Sequence, residues 1–158
     1  MVYVAGCRTE RGEAVRLVHS LQYLRGGVQL ADVGGGHFAG ILLADPKSVC
    51  LVLFDGRRYS RTTQQLAEAA ISRGIPVTLI TDPYCDWAPA VVTELFAVPT
   101  DLNHFWDTTA AMSSLIGLMV NGVFRELGAG VETRMARVSE LYGNFIGHTA
   151  PGRNPGRP

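Results

Sequence analysis

A chain of 158 residues, 47% apolar and 18% charged, is long enough for one sizeable core and too apolar for a disordered polymer. Fourteen basic residues balance fourteen acidic ones, which argues against a protein that grips nucleic acid by its phosphates. The chain alone is therefore expected not to bind DNA in a sequence-specific way.

In chain order, the apolar run over residues 2–5 reads as a short strand that stops at Gly6. A helix is expected over 10–23, with Ala14, Leu17, Val18 and Leu21 on one face. A weaker strand candidate covers 28–31. Three glycines, 34–36, then break the chain before a short helix over 37–44. Residues 49–54 form a continuous apolar run, the pattern of a strand buried on both faces. Ser60 reads as the N-cap of a helix running to Arg73, and Gly74 supplies its stop. A third strong strand covers 77–81, a short helix 87–93 and a last strand 95–98. Two long helices follow, over 108–127 and 132–145; Val131, Met135, Val138 and Tyr142 mark one face of the second. Strands alternating with helices predict a five-stranded parallel sheet in a three-layer α/β/α sandwich, with a flavodoxin-like strand order assumed. The domain is assigned to residues 1–148. Residues 149–158, with three prolines and two glycines, read as a loose tail.

The three cysteines, Cys7, Cys50 and Cys85, are odd in number and match no zinc spacing. Cys50 reads as a small core residue, and a reducing, cytoplasmic setting fits best. No signal peptide or membrane span is read; the apolar stretch over 110–120 is too short and too interrupted to cross a bilayer. Neither a metal nor a cofactor is expected. The glycine triplet reads as a flexible connection rather than a phosphate cradle, since no lysine follows it in phosphate-loop spacing.

In an open parallel sheet, ligands sit beyond the carboxyl ends of the strands, where strand order reverses. For a flavodoxin-like order, the loops that meet there are 6–11 and 55–61. The first holds Arg8 and Thr9, the second Arg57, Arg58, Tyr59, Ser60 and Arg61. Both lead into helices, whose N-termini favour anions, and guanidinium groups suit phosphate or carboxylate. A small anionic ligand is expected, with Arg8 and Arg57 supplying charge and Thr9 and Ser60 hydroxyls. Arg58 and Tyr59 stand beside them. His104, next to Phe105, Trp106 and Asp107, is a further candidate to line or gate the crevice. Ser60 taken alone reads equally as a helix cap, and the arginine run as a solvated face.

Residues 49–82 resemble the central strand–helix–strand unit of the sugar isomerase (SIS) domain. Arg73-Gly74 and Ile80-Thr81-Asp82 stand where that family has R-G and I-T-D. The family's S-x-S-G-x-T phosphate loop is not matched: its serines fall on Asp55 and Arg57, its glycine on Arg58 and its threonine on Ser60. The run Arg57-Arg58-Tyr59-Ser60-Arg61, together with Gly6-Cys7-Arg8-Thr9-Glu10, is similar instead to a subgroup of RpiR-type transcription regulators. That resemblance spans about residues 2–145. It implies a dimeric, non-enzymatic sensing domain for a sugar phosphate or another small anion. It also implies a separate helix-turn-helix domain for DNA, which is not seen before the first strand; nor is the helix that usually precedes it. The chain therefore reads as a fragment, an isolated domain or a truncated product. Two alternatives remain open. One is an aldose–ketose phosphosugar isomerase, for which His37, His104 and Glu126 are the candidate bases. The other is an oligomerisation-only domain whose anion site is filled internally, by Glu10 pairing with Arg8.

Overall fold

The computed structural model describes residues 1–146. The expected C-terminal tail lies outside the described residues. Five parallel strands form one sheet in the order β2-β1-β3-β4-β5. The strands are β1 (Val2–Gly6), β2 (Val28–Leu30), β3 (Cys50–Phe54), β4 (Val77–Thr81) and β5 (Glu94–Ala97). The order reverses between β1 and β3, which pair in register from Val2–Cys50 to Gly6–Phe54.

Strand alternation sorts the core into two layers. Leu51 and Leu53 of β3 join Val77 and Leu79 of β4 beneath α2 (Phe38–Leu42), α3 (Arg61–Ile71) and α4 (Ala88–Val91). Val52 and Phe54 join Val2, Val4 and Ile80 beneath α1 (Arg11–Leu24) and α5 (Ala110–Leu127). Leu53 and Phe54 are fully buried, and each such side chain contributes about 1.5–3 kcal/mol by leaving water. Helix α6 (Gly130–Ile146) packs against α1: the Arg134 guanidinium donates to the Gln22 carbonyl, and Tyr142 stacks on Tyr23.

Element ends differ from expectation where tertiary contacts decide them. Helix α3 stops at Ile71, and Arg73 and Gly74 form a turn that Gly74 closes at φ +78°. At the sheet edge, β5 starts and ends one residue earlier than its apolar pattern suggests, and Phe96 remains partly exposed. Cys50 is only partly buried, because β3 begins there; the burial it has pushes its thiol pKa up. Met135 is exposed, although Val131 on the same helical face is buried. No helix of the described residues is long and apolar enough to cross a membrane.

Candidate functional site

At the carboxyl ends of β1 and β3, the chain turns into α1 and α3 through two tight loops. Gly6 permits the first: an added Cβ would lie 2.6 Å from the Glu10 carbonyl oxygen, which backbone cannot yield. A turn of 3-10 helix, Arg8–Glu10, then leads into α1. The second loop begins at Asp55, whose side chain is buried. Its Oδ2 accepts the Ser60 N–H at 2.9 Å, folding the loop back on the start of α3.

These loops and the connection after β5 enclose a pocket of about 560 Å³. Arg8, Thr9, Arg57 and Arg58 line it, together with Glu10. The opposite wall is Thr100 and residues 105–109. Three guanidinium groups thus share the space with the carboxylates of Glu10 and Asp107. Arg8 Nη1 donates to the Arg58 carbonyl at 2.7 Å, which ties the two loops together. Arg57 Nη1 lies 3.3 Å from Asp107 Oδ1, and its guanidinium stands 5.1 Å from the centre of the Tyr84 ring. Asp107 is the main cause of a raised Arg57 pKa, so the guanidinium stays charged.

Backbone strain gathers at the same place. Among the described residues, positive φ outside glycine occurs at Arg8 (+53°), Arg58 (+67°) and Asn103 (+58°). These positions fall in the two arginine loops and in the connection after β5. Strain of this kind costs about 1–3 kcal/mol per residue and clusters where loops are shaped for binding. Thr100 adds a second sign. It is 5% exposed, and its hydroxyl has no partner among the described residues.

Three of the expected site residues stand elsewhere. Tyr59 does not line the pocket: its ring packs on the α2–α3–α4 side of the core, and its hydroxyl donates to buried Asp82. Burial and that hydrogen bond raise its pKa well above the ordinary phenol range. Asp82 Oδ1 also accepts the Tyr84 N–H at 2.9 Å. The Arg-Arg-Tyr-Ser-Arg loop and the Thr-Asp strand end are therefore joined by a partly buried hydrogen bond, and Tyr59 acts as the loop's anchor. We expect Tyr59→Phe to lower stability by about 1–2 kcal/mol in a denaturant titration, since Asp82 would lose a donor it cannot replace. Ser60 occupies the N-cap position, but its hydroxyl makes no capping bond; its N–H is spent on Asp55. His104 is exposed and outside the pocket lining, while Phe105, Trp106 and Asp107 beside it are part of that lining.

The residues weighed for isomerase chemistry also lie apart. His37 Nδ1 accepts the Asp32 N–H at 3.0 Å, after β2, and Glu126 is exposed near the end of α5. Nor does Glu10 ion-pair with Arg8. Its carboxylate lies over Gly56, where an added Cβ would meet Oε1 at 2.9 Å. Together with burial, this negative charge helps push the Asp55 pKa up to about 6, against the Ser60 N–H, the Thr63 hydroxyl and Arg8.

No family model matches the sequence, and a comparison with curated proteins finds no match. Solved structures do match. The sugar isomerase domain of an RpiR transcription factor from Sphaerobacter thermophilus superposes with a TM-score of 0.80 at 19% identity, over 89% of this chain and 78% of that one. The fold is that of a sugar isomerase domain. A NanR protein of Vibrio vulnificus, complexed with ManNAc-6P, shares it with a TM-score of 0.66 and 16% identity; this chain spans 56% of NanR's length. A protein from Bacteroides fragilis, provisionally described as a phosphosugar isomerase involved in capsule formation, superposes at 0.60 with 12% identity, over 90% and 74% of the two chains. Within the sugar isomerase fold, the arginine pocket lies at the topological switch point.

Proposed function

We propose that this chain is the effector-sensing domain of an RpiR-type transcription regulator and takes a small anionic metabolite, a sugar phosphate or a carboxylate, at the switch point. The observation that carries this reading is the convergence of Arg8, Arg57 and Arg58, from two separate loops, on one 560 Å³ pocket. The sugar isomerase fold, shared with an RpiR factor and with NanR, supports it. On this reading the protein is cytoplasmic, and DNA contact belongs to a helix-turn-helix domain separate from this one.

The α3 N-terminus contributes less to the anion than the sequence suggests. Asp55 stands where the resemblance puts the first phosphate serine, and its carboxylate already takes the Ser60 N–H. The ligand's charge therefore rests on the arginines and on the Thr9 and Thr100 hydroxyls. A thermal-shift screen of sugar phosphates, inorganic phosphate, sulfate and small carboxylates tests the reading. At least one anion should raise the melting temperature, and no aldose–ketose interconversion of that ligand should follow. If no anion stabilises the protein, the sensing role fails; turnover of a bound sugar phosphate would make it an isomerase.

The domain also acts as a homodimer on this reading, built partly on α5. That helix buries Met112 and Ile116 against the sheet yet leaves Leu118 69% exposed, with Phe124 and Leu127 also open. Added Cβ atoms at Gly117 and Gly122 would meet nothing within 4 Å, so the outer face is free for close helix approach. Sedimentation at tens of micromolar protein should give a dimer, and Leu118→Glu should shift it toward monomer. A monomeric wild type would count against this interface.

A further inference from the structure

A second cavity, of about 410 Å³, lies at the other end of the sheet, where α1 runs out before β2 and α6 crosses it. His19 and Gln22 line part of it, and the rest of its polar wall is made by Arg25 and Arg134. Each is fixed by a backbone carbonyl: Arg25 Nε donates to Gly26 at 3.0 Å, and Arg134 Nε and Nη2 donate to Gln22 at 3.1 and 2.8 Å. These bonds orient the guanidinium planes and leave N–H groups of each unspent, since a guanidinium carries five. Arg134 Nη1 is one, standing 4.0 Å from where a Cβ on Gly26 would be. Neither arginine has a carboxylate within ion-pair distance among the described residues, and no acidic side chain lines the cavity. The switch-point pocket differs on this point, because Glu10 and Asp107 stand among its arginines.

The apolar part of the wall comes mainly from α1 and α6. Tyr23 and Tyr142 stack with ring centres 5.6 Å apart, and Val138 lies beside them. Two fixed cations with no internal counter-charge favour a dianion over a single carboxylate. A phosphate monoester carries close to two charges at neutral pH. We infer that this cavity is a second ligand site, for a small organic phosphate whose anionic group lies between Arg25 and Arg134 and whose body rests against Tyr23, Tyr142 and Val138.

The site is independent of the switch-point reading, and the test keeps them apart. Nitrogen-15 NMR follows the arginine Nε–H signals while phenyl phosphate or benzoate is added to the full chain. Phenyl phosphate should move the Arg25 and Arg134 signals and bind more tightly than benzoate. Arg134→Gln and Arg25→Gln should each weaken it by about tenfold, the loss expected for one charged hydrogen bond. Arg57→Ala should leave this binding unchanged. The proposal is overturned if the Arg25 and Arg134 signals stay still, if benzoate binds as tightly, or if Arg57→Ala abolishes the effect. In the wild-type titration the signals are read on the intact fold, so an unstable variant does not blur the result.

Discussion

Asp55→Asn should make the domain more stable at pH 7.5 than the wild type, by up to roughly 3 kcal/mol, with the advantage vanishing toward pH 4. Asp55 is buried at the end of β3, and burial, with Glu10 nearby, raises its pKa from 3.8 to about 6. Between those values the folded state binds a proton that the unfolded chain has released. Stability associated with this carboxyl is therefore complete below about pH 4 and falls as the pH rises through about 6. At about 1.4 kcal/mol per pH unit, the ionised carboxylate costs the fold roughly 3 kcal/mol at neutral pH. An asparagine has no charge to desolvate, and its carbonyl oxygen can still accept the Ser60 N–H. For a domain of this size, the gain amounts to about 6–12 °C in melting temperature. Thermal unfolding of both proteins across pH 4–8 measures the gap. Equal melting temperatures at every pH would show that Asp55 is not held in an unfavourable ionised state.

That a buried acid is kept where the resemblance places a phosphate serine shows how far the sequence could be read. The strands were legible because strands buried on both faces leave continuous apolar runs, as over residues 50–54, or nearly so, as over 77–81 with Thr78 and Thr81 as the polar members. Their order follows a flavodoxin-like pattern, and it is this order that brings Arg8 and Arg57 to one pocket from positions 49 residues apart. The far wall was not legible as a whole. His104 drew attention as an ionisable side chain, yet the connection after β5 turns Asp107 and Thr100 into the pocket and leaves His104 out. No local periodicity encodes that fold-back; it depends on contacts such as the Thr108 N–H to the Thr100 carbonyl, at 2.8 Å. The Tyr59 hydroxyl and the Ser60 N–H carry the right chemistry for a ligand, but each finds a closer acceptor, in Asp82 and Asp55. Both acceptors are buried aspartates at strand ends, and their competition for donors cannot be seen along a single segment.

The same competition governs the arginine that the ligand is expected to need. Arg57→Ala should weaken the anion found in the screen by about ten- to a hundredfold, the loss of a charge-assisted hydrogen bond. Arg57 is not idle before the ligand arrives, since Asp107 holds it at 3.3 Å. Both side chains are more than 40% exposed, so solvent screens the pair and it adds little to the stability of the fold. Asp107 acts on binding in two opposed ways. It steadies Arg57 at the pocket wall, and it offers a negative charge that an incoming anion must displace or tolerate. The Tyr84 ring, 5.1 Å from the guanidinium, steadies Arg57 without carrying charge. Repulsion should therefore outweigh the lost support, and Asp107→Asn should tighten the anion by about two- to fivefold, within the small energy of an exposed pair. Calorimetric titration of the wild type and the two variants decides the matter. Weaker binding by Asp107→Asn, matching Arg57→Ala, would mean that the carboxylate positions the guanidinium. An unchanged affinity in Arg57→Ala would move the ligand's charge to Arg8 and Arg58, whose loops are already tied by the 2.7 Å bond from the Arg8 guanidinium.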